Sequence, residues 1–564
     1  MVATLTVPHA VSSNTFVVRL RRPFLRTLLA SSLLATSACA QTTTTSSASG
    51  APAAPVVKGR LPERLHRMNH QSLNRAELVA LSSLQGILAK ESAENIYLDD
   101  GNAGYRIWLD LFRRAPHTEV VDAPAFRDTL ARFQNKVAGY ILCRAGDPRS
   151  LDIAVSLAGP ARGVVMDESL QPVAESLGWH PLYDTRDKDF AWLETVRPAA
   201  APADVLVVQP KELPWQLRDY AVLADAQAMP AWHTADAIER FQALARCHPN
   251  ATLLGWGDND KEDELTFISR SSKAGLPLIP ANHVRNLSVL SSLPATGALK
   301  QKPAPADHAA ASPAPSRARV HTVTFVFTDG DNLSWLLFDF PTDRRWYGSP
   351  ARGEISLGWG MAPSLAELAP GVVDWYYQQA ASSSKARDVF IAGPSGDGYF
   401  FPSHMPADAL DRHCRELNRL MGAADLGLVQ IIDTDALDRT DLWGAYLAQP
   451  NIDGLIYFDY APYDKEHGRI TWAHGKPVVS AAAQLWGGAK NSSPDAIVAR
   501  LNKAARDSHS ARGYSLVVVH AWTHTAADVV ALARRLDSGV EVVAPDEFFQ
   551  RIRANLAPAP EGTE

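Results

Sequence analysis

Apolar and polar positions alternate along the chain with two periods, and their succession divides it into segments. Between residues 61 and 300, short β-branched runs alternate with stretches of helical spacing. LVALSSLQGILAK, within Arg75–Ala93, repeats apolar residues near every 3.6 positions and predicts a helix, followed by a strand over Asn95-Ile96-Tyr97-Leu98. Val137–Leu142, Gly163–Met166, Asp204–Val208 and Ala251–Leu254 have the length of buried strands, with helices predicted over Pro124–Asn135 and Thr234–Ala245. This alternation predicts two or three small α/β domains over 61–301.

Beyond residue 319 the rhythm is more regular. Strands are predicted over Thr322–Phe327, Ile355–Gly358, Val389–Ala392, Gly427–Ile432, Gly454–Phe458, Pro477–Ser480, Ser515–His520 and Glu541–Val543. The clearest intervening helices are Ala407–Met421, Pro494–Asp507 and Ala526–Arg535. Eight strands alternating with helices over about 240 residues match a TIM-like (β/α) barrel over 319–556. A doubly wound open sheet fits the same alternation, with the barrel preferred.

The segments between and around these domains cannot build a core. Residues 41–60 are a Thr/Ser/Ala/Pro tether, 302–318 a Pro/Ala-rich linker and 557–564 a polar tail. At the N-terminus, Arg19, Arg21, Arg22 and Arg26 precede an apolar stretch from Thr27 to Ala38 and the small-residue site Ala38-Cys39-Ala40. That is the layout of an export signal over 1–40, too short for a membrane span. Arg21-Arg22-Pro23-Phe24-Leu25-Arg26 is similar to a twin-arginine motif, and Cys39 gives a second reading as a lipid anchor. The expected location is periplasmic or at the cell surface.

Composition adds exclusions. With 46% hydrophobic and 21% charged residues, a net charge of −6 and no basic patch interleaved with aromatics, nucleic acid is not an expected partner. Cys143, Cys247 and Cys414 are widely spaced and without a C-x-x-C pair; no cofactor and no metal site is expected from them. Fourteen Trp and fourteen Tyr supply flat faces suited to sugar rings, although most aromatic residues fill cores.

In either α/β architecture ligands meet the carboxyl ends of the strands, so the residues after each predicted strand are the candidates. They are Asp329, Asp331 and Asn332 after the first, Trp359 after the second, Asp397 and Tyr399 after the third, and Asp433 and Asp435 after the fourth. Asp459 follows the fifth, and His520 and Trp522 follow the seventh. Acids after strands also cap helices, and His520 also suits a core position. Asp329 and Asp331 are harder to explain so, because adjacent carboxylates beside an apolar strand repel unless something cationic or hydroxylated sits there.

Gly396-Asp397-Gly398-Tyr399-Phe400-Phe401-Pro402 resembles the signature of the GxGYxYP family, with Phe401 in place of the second Tyr. VTFVFTDGDNLSW, GWGMAPSLAELAPGVVDWYY, GKPVVSAAAQLW, LVVVHAW and VEVVAPDEF extend the resemblance over the C-terminal domain. LLGWGDNDKEDELTFIS and Asn286-Leu287-Ser288 resemble the family's accessory domains. The resemblance implies a glycoside hydrolase acting on a polysaccharide or oligosaccharide.

Such hydrolysis needs two carboxyl groups. Asp329 and Asp331 stand too close in sequence to flank one sugar, so a partner from a later strand is expected: Asp459 first, then Asp397. Asn332, Trp359, Tyr399, His520 and Trp522 are expected to bind substrate. Glu264 becomes a candidate if its domain packs over the rim. The alternatives are a metal-dependent carbohydrate deacetylase, from the acid pair with His520 and His524, and a non-catalytic surface glycan-binding protein.

Overall fold

The computed structural model describes residues 56–198, 204–231, 234–257, 261–302, 319–383 and 386–556. The predicted export signal with Cys39, nearly all of the tether and linker, and the polar tail lie outside them.

Three small parallel sheets come first. Arg64–Asn69 lies between Glu94–Asp99 and Glu119–Asp122; Gly139–Cys143 lies between Gly163–Asp167 and Pro181–Asp184. The third sheet runs Leu278–Pro280, Thr252–Gly255, Val205–Gln209, Gln227–Pro230. The helix Arg75–Glu91 begins on a capping box between Asn74 and Glu77 and is buried continuously from Leu78 to Ala89. It is enclosed because it serves several units. Ser83 accepts the N–H of Val165 from the second sheet, and Gln85 donates to Asn286 beyond the third. Asn286 also pairs both ways with the backbone of Leu98, as a neighbouring strand would, so its motif has a structural task. Cys143 and Cys414 are buried thiols, whereas Cys247 is exposed at the end of helix Ala235–Cys247.

The large sheet has ten strands. In spatial order they are Ile470–Ala473, Lys476–Ser480, Gly454–Asp459, Leu428–Asp433, Asp388–Ala392, Leu357–Met361, His321–Phe327, Tyr514–Val519 and Ala483–Leu485, with Val540–Val542 also paired to His321–Phe327. Every pairing is parallel except that of Ile470–Ala473 with Lys476–Ser480. The central strands are buried along their length, which is why they read as continuous apolar runs.

All eight predicted strands form, but their pairing does not describe the regular eight-stranded ring expected. The eighth, Val540–Val542, lies beside the start of the first, at His321–Val323. No ladder joins Lys476–Ser480 to Ala483–Leu485. Instead the neighbouring N–H groups of Ala481 and Ala482 donate to Tyr457 and Leu516, on opposite flanks. Two residues leave no room for a crossover helix, so the chain steps from one flank to the other. The result is a mixed α/β fold with a curled half-barrel sheet and several small sheets.

One apolar cluster runs from Leu206, Phe241, Phe267 and Leu278 of the third small domain to Val326, Ile391, Phe401 and Phe458 of the large sheet. The third domain therefore packs on the large one through a shared core.

Candidate active site

The first strand delivers Thr328-Asp329-Gly330-Asp331-Asn332 at its carboxyl end, and close packing fixes the loop's course. Asp329 takes φ +65°, a left-handed conformation that Asp tolerates better than most residues. A Cβ on Gly330 would lie 1.9 Å from the carbonyl carbon of Gly360, and one on Gly393 would lie 2.6 Å from the amide nitrogen of Asp331. Only glycines let the ends of the first three central strands approach so closely. Thr328 accepts the N–H of Ala521 and donates to Asp329, tying the loop to the strand Tyr514–Val519. Asn332 caps the helix Leu333–Leu337 by accepting the N–H of Trp335.

The signature loop performs a different task. The backbone of Tyr399 pairs both ways with Leu278 of the third small sheet, at 2.7 and 3.3 Å. The N–H of Phe401 donates to Ser272. Phe401 is fully buried against Tyr399, His404 and Tyr460, so a ring suffices at this position and no hydroxyl is presented to a ligand. The motif is thus a clamp that seats the third domain on the large sheet.

That clamp creates a cavity of about 320 Å³ between the two domains. Trp256, Glu264, Pro280, Asn282 and His283 line it from the third domain. Asp329, Asp331, Asn332, Tyr399, Tyr463 and Trp522 line it from the large domain, and neither Lys nor Arg is among the lining residues. Glu264 opens the helix Glu264–Lys273, where Asp263 provides the cap. Its carboxyl accepts the Tyr399 hydroxyl at 2.7 Å. Asp329 accepts the indole N–H of Trp522 at 2.9 Å, and Trp522 is 42% exposed.

Burial and mutual repulsion set the charge. Asp331 is held well above the ordinary carboxylate range, by burial first and by Asp329 second. Glu264 is raised by burial; Tyr399 opposes this by donating to it, and Asp329 adds to it. The hydroxyls of Tyr399 and Tyr463 are pushed up by burial and by these carboxyls, which keeps them protonated as donors. His283 is lowered by burial and by Arg285.

Of the residues singled out from sequence, Asp329, Asp331, Asn332, Tyr399 and Trp522 meet at this cavity. The others do not line it. Asp459 is buried beneath the Asp435 N–H and the Tyr457 hydroxyl. Asp397 turns back to accept the N–H of Ser364. Trp359 lies inside its strand, which runs on to Met361, and its indole donates to Asp388. Asp433 is held by Ser403. His520 stacks on Trp486 at 3.8 Å and bonds Thr523, with Asp329 near enough to act on its charge. Glu264, a candidate only if its domain packs over the rim, arrives from the third domain; Trp256 of that domain and Tyr463 of the large one also line the cavity, and sequence patterning singles out neither.

Among the described residues, the acidic group close enough to share a cation is Asp435, Asp459 and Glu466. Lys465 already lies against Asp435 and 4.0 Å from Asp459. Asp329, Asp331 and Glu264 do not converge within the 4.8 Å that a shared ion would need.

Residues 319–553 match the model described as "GxGYxYP putative glycoside hydrolase C-terminal domain". The GxGYxYP first, second and third domains match residues 64–135, 137–195 and 203–292, in that order. A solved structure titled as a "putative hydrolase" from Bacteroides thetaiotaomicron is similar at a TM-score of 0.78 with 29% identity, over 90% of this chain and 99% of that one. None of the curated proteins matches.

Proposed function

The chain belongs to the GxGYxYP family, and from that premise we propose that it hydrolyses glycosidic bonds with the carboxyls of Glu264, Asp329 and Asp331. The observation that carries this reading is a single one. The third domain brings Glu264 to the cavity lined by the acid pair of the first central strand, among aromatic faces suited to a sugar.

Three carboxyls in one cavity cannot all ionise cheaply, so their environments separate the roles. Glu264, raised and half-buried, keeps a proton for the glycosidic oxygen as general acid. Asp329, which accepts the Trp522 indole N–H, is the partner acting at the anomeric carbon or on a water beside it. Asp331, raised by burial and by Asp329, stands beside the pair as a third acid. Tyr399 positions Glu264, and Trp522 presents a face to the sugar. Glu264 replaces Asp459 in the acid–base pair expected from sequence.

No specific observation favours the deacetylase reading, since neither His520 nor His524 joins the acids of the cavity in a group of cation-binding spacing. We further read the large sheet as a derived (β/α) barrel in which the segment 476–485 serves both flanks, and residues 1–40 as an export signal. N-terminal sequencing of the exported protein tests the latter. The activity test is sugar release from a panel of polysaccharides and aryl glycosides, with Glu264→Gln and Asp329→Asn alongside. Release abolished by both substitutions supports the proposal; binding without release supports a glycan-binding protein instead.

A further inference from the structure

We propose that the cavity selects a sugar residue carrying a free cationic amine. The proposal rests on the hydrolase reading only for the location of the glycan, since the charge argument concerns binding.

Among the described residues the lining holds Glu264, Asp329 and Asp331 and no Lys or Arg. Arg285 and Lys465, each two residues from a lining residue, are engaged elsewhere: Arg285 pairs with Asp100 and lies over the Tyr105 ring, and Lys465 pairs with Asp435. Burial, and then Arg285, lower the His283 pKa and so disfavour its cationic form. Among the described residues the acids therefore face the cavity without a cationic side chain in its lining. Asp331 is 5% exposed, lines the cavity, and has no hydrogen bond to another residue's side chain. A buried acid left so acquires its partner from a ligand or remains protonated. Among the described residues the three carboxyls do not form a group spaced for one ion, whereas an amine carried on a sugar ring can reach them within the cavity.

The other lining groups point to the same chemistry. The rings of Trp256, Tyr399, Tyr463 and Trp522 surround the acids, and an ammonium is attracted to aromatic faces as well as to carboxylates. A neutral sugar would leave the acids uncompensated, and a uronic acid or sulfated sugar would add to the repulsion.

The test is calorimetric titration of the full chain with glucosamine and galactosamine against glucose, galactose, N-acetylglucosamine and glucuronate. One amino sugar is expected to bind about tenfold or more tighter than its neutral parent, the scale of a charge-assisted hydrogen bond. N-acetylation should remove the gain and glucuronate should bind most weakly. In Asp331→Asn and in Asp329→Asn, with folding checked by circular dichroism, the amine-to-neutral ratio should fall toward one. A neutral or acidic sugar binding as tightly as the amine, an unchanged ratio in both variants, or no binding by any of these sugars would overturn the proposal. Turnover is read separately: glycosidase activity surviving Glu264→Gln would remove the hydrolase reading and leave an observed amine preference standing.

Discussion

Replacing Tyr399 by Phe isolates the link between the family signature and the chemistry. The two backbone bonds to Leu278 do not use the side chain, and the ring keeps its place beside Trp256 at 6.2 Å. What disappears is the 2.7 Å donation to Glu264. A hydrogen bond to a charged group contributes about 1.5–3 kcal/mol. Glu264 is half-buried and water can replace part of the bond, so a figure at or just below that lower bound, about 1–1.5 kcal/mol, is appropriate. That corresponds to about a tenfold fall in kcat/KM, with global stability changed by less than about 1 kcal/mol. The sign of the pH effect follows from the same bond. Tyr399 holds the Glu264 pKa down, so its loss lets that pKa rise, and the alkaline limb of the rate profile moves to higher pH. The assay is kcat/KM on a responsive aryl glycoside between about pH 4 and 9. In a Glu264→Gln background the same substitution should have no further effect, because the two side chains act as one unit. A limb that stays put or moves to lower pH, or full additivity of the two substitutions, would refute the reasoning.

Three further outcomes are expected. Asp331 has its folded pKa raised, so its contribution to stability is present below the ordinary Asp value and is lost as pH rises through the raised one. Asp331→Asn should therefore melt higher than the parent at neutral pH, with the gap closing toward about pH 4, as scanning calorimetry will show. Gly360→Ala places a methyl 2.7 Å from the Cα of Gly330; it should cost about 1–3 kcal/mol in denaturant unfolding and slow turnover by displacing the acid loop. Arg218 and Asp152 form an ion pair at 2.6 Å with 2% and 0% exposure, so Arg218→Met should cost about 3–5 kcal/mol by the same assay without touching the cavity.

The strands of the large sheet were legible because they are buried on both faces and leave unbroken apolar runs. Their closure was not, since nothing local distinguishes Ala481-Ala482 as a crossing point from an ordinary loop. The predicted strand Ile355–Gly358 stops short of the observed Leu357–Met361; Gly358 and Gly360 lie within it, and their absent side chains permit the close approach of neighbouring backbone and side chains. Trp359 consequently appeared to follow the strand when it lies within it. Asp329 and Asp331 were visible as unbalanced charge at a strand end. Asp397 and Asp459 occupied equivalent positions, but a backbone N–H in the first case, and Asp435 and Tyr457 in the second, already occupy them. Glu264 gave no distinctive signal. An acid in the first turn of a helix is ordinary electrostatics, and only the docking of one domain on another turns it into a candidate catalytic group.

The central claim is that Glu264 delivers the proton to the leaving group across the cavity from Asp329. The measurement that tests it most directly is the leaving-group dependence of Glu264→Gln, comparing an alkyl glycoside with the 2,4-dinitrophenyl glycoside of the same sugar. A dinitrophenolate departs without a proton, so the variant should lose about 10²–10⁴-fold on the alkyl substrate and less than about tenfold on the activated one. Equal losses on both, or no loss on either, would contradict the assignment.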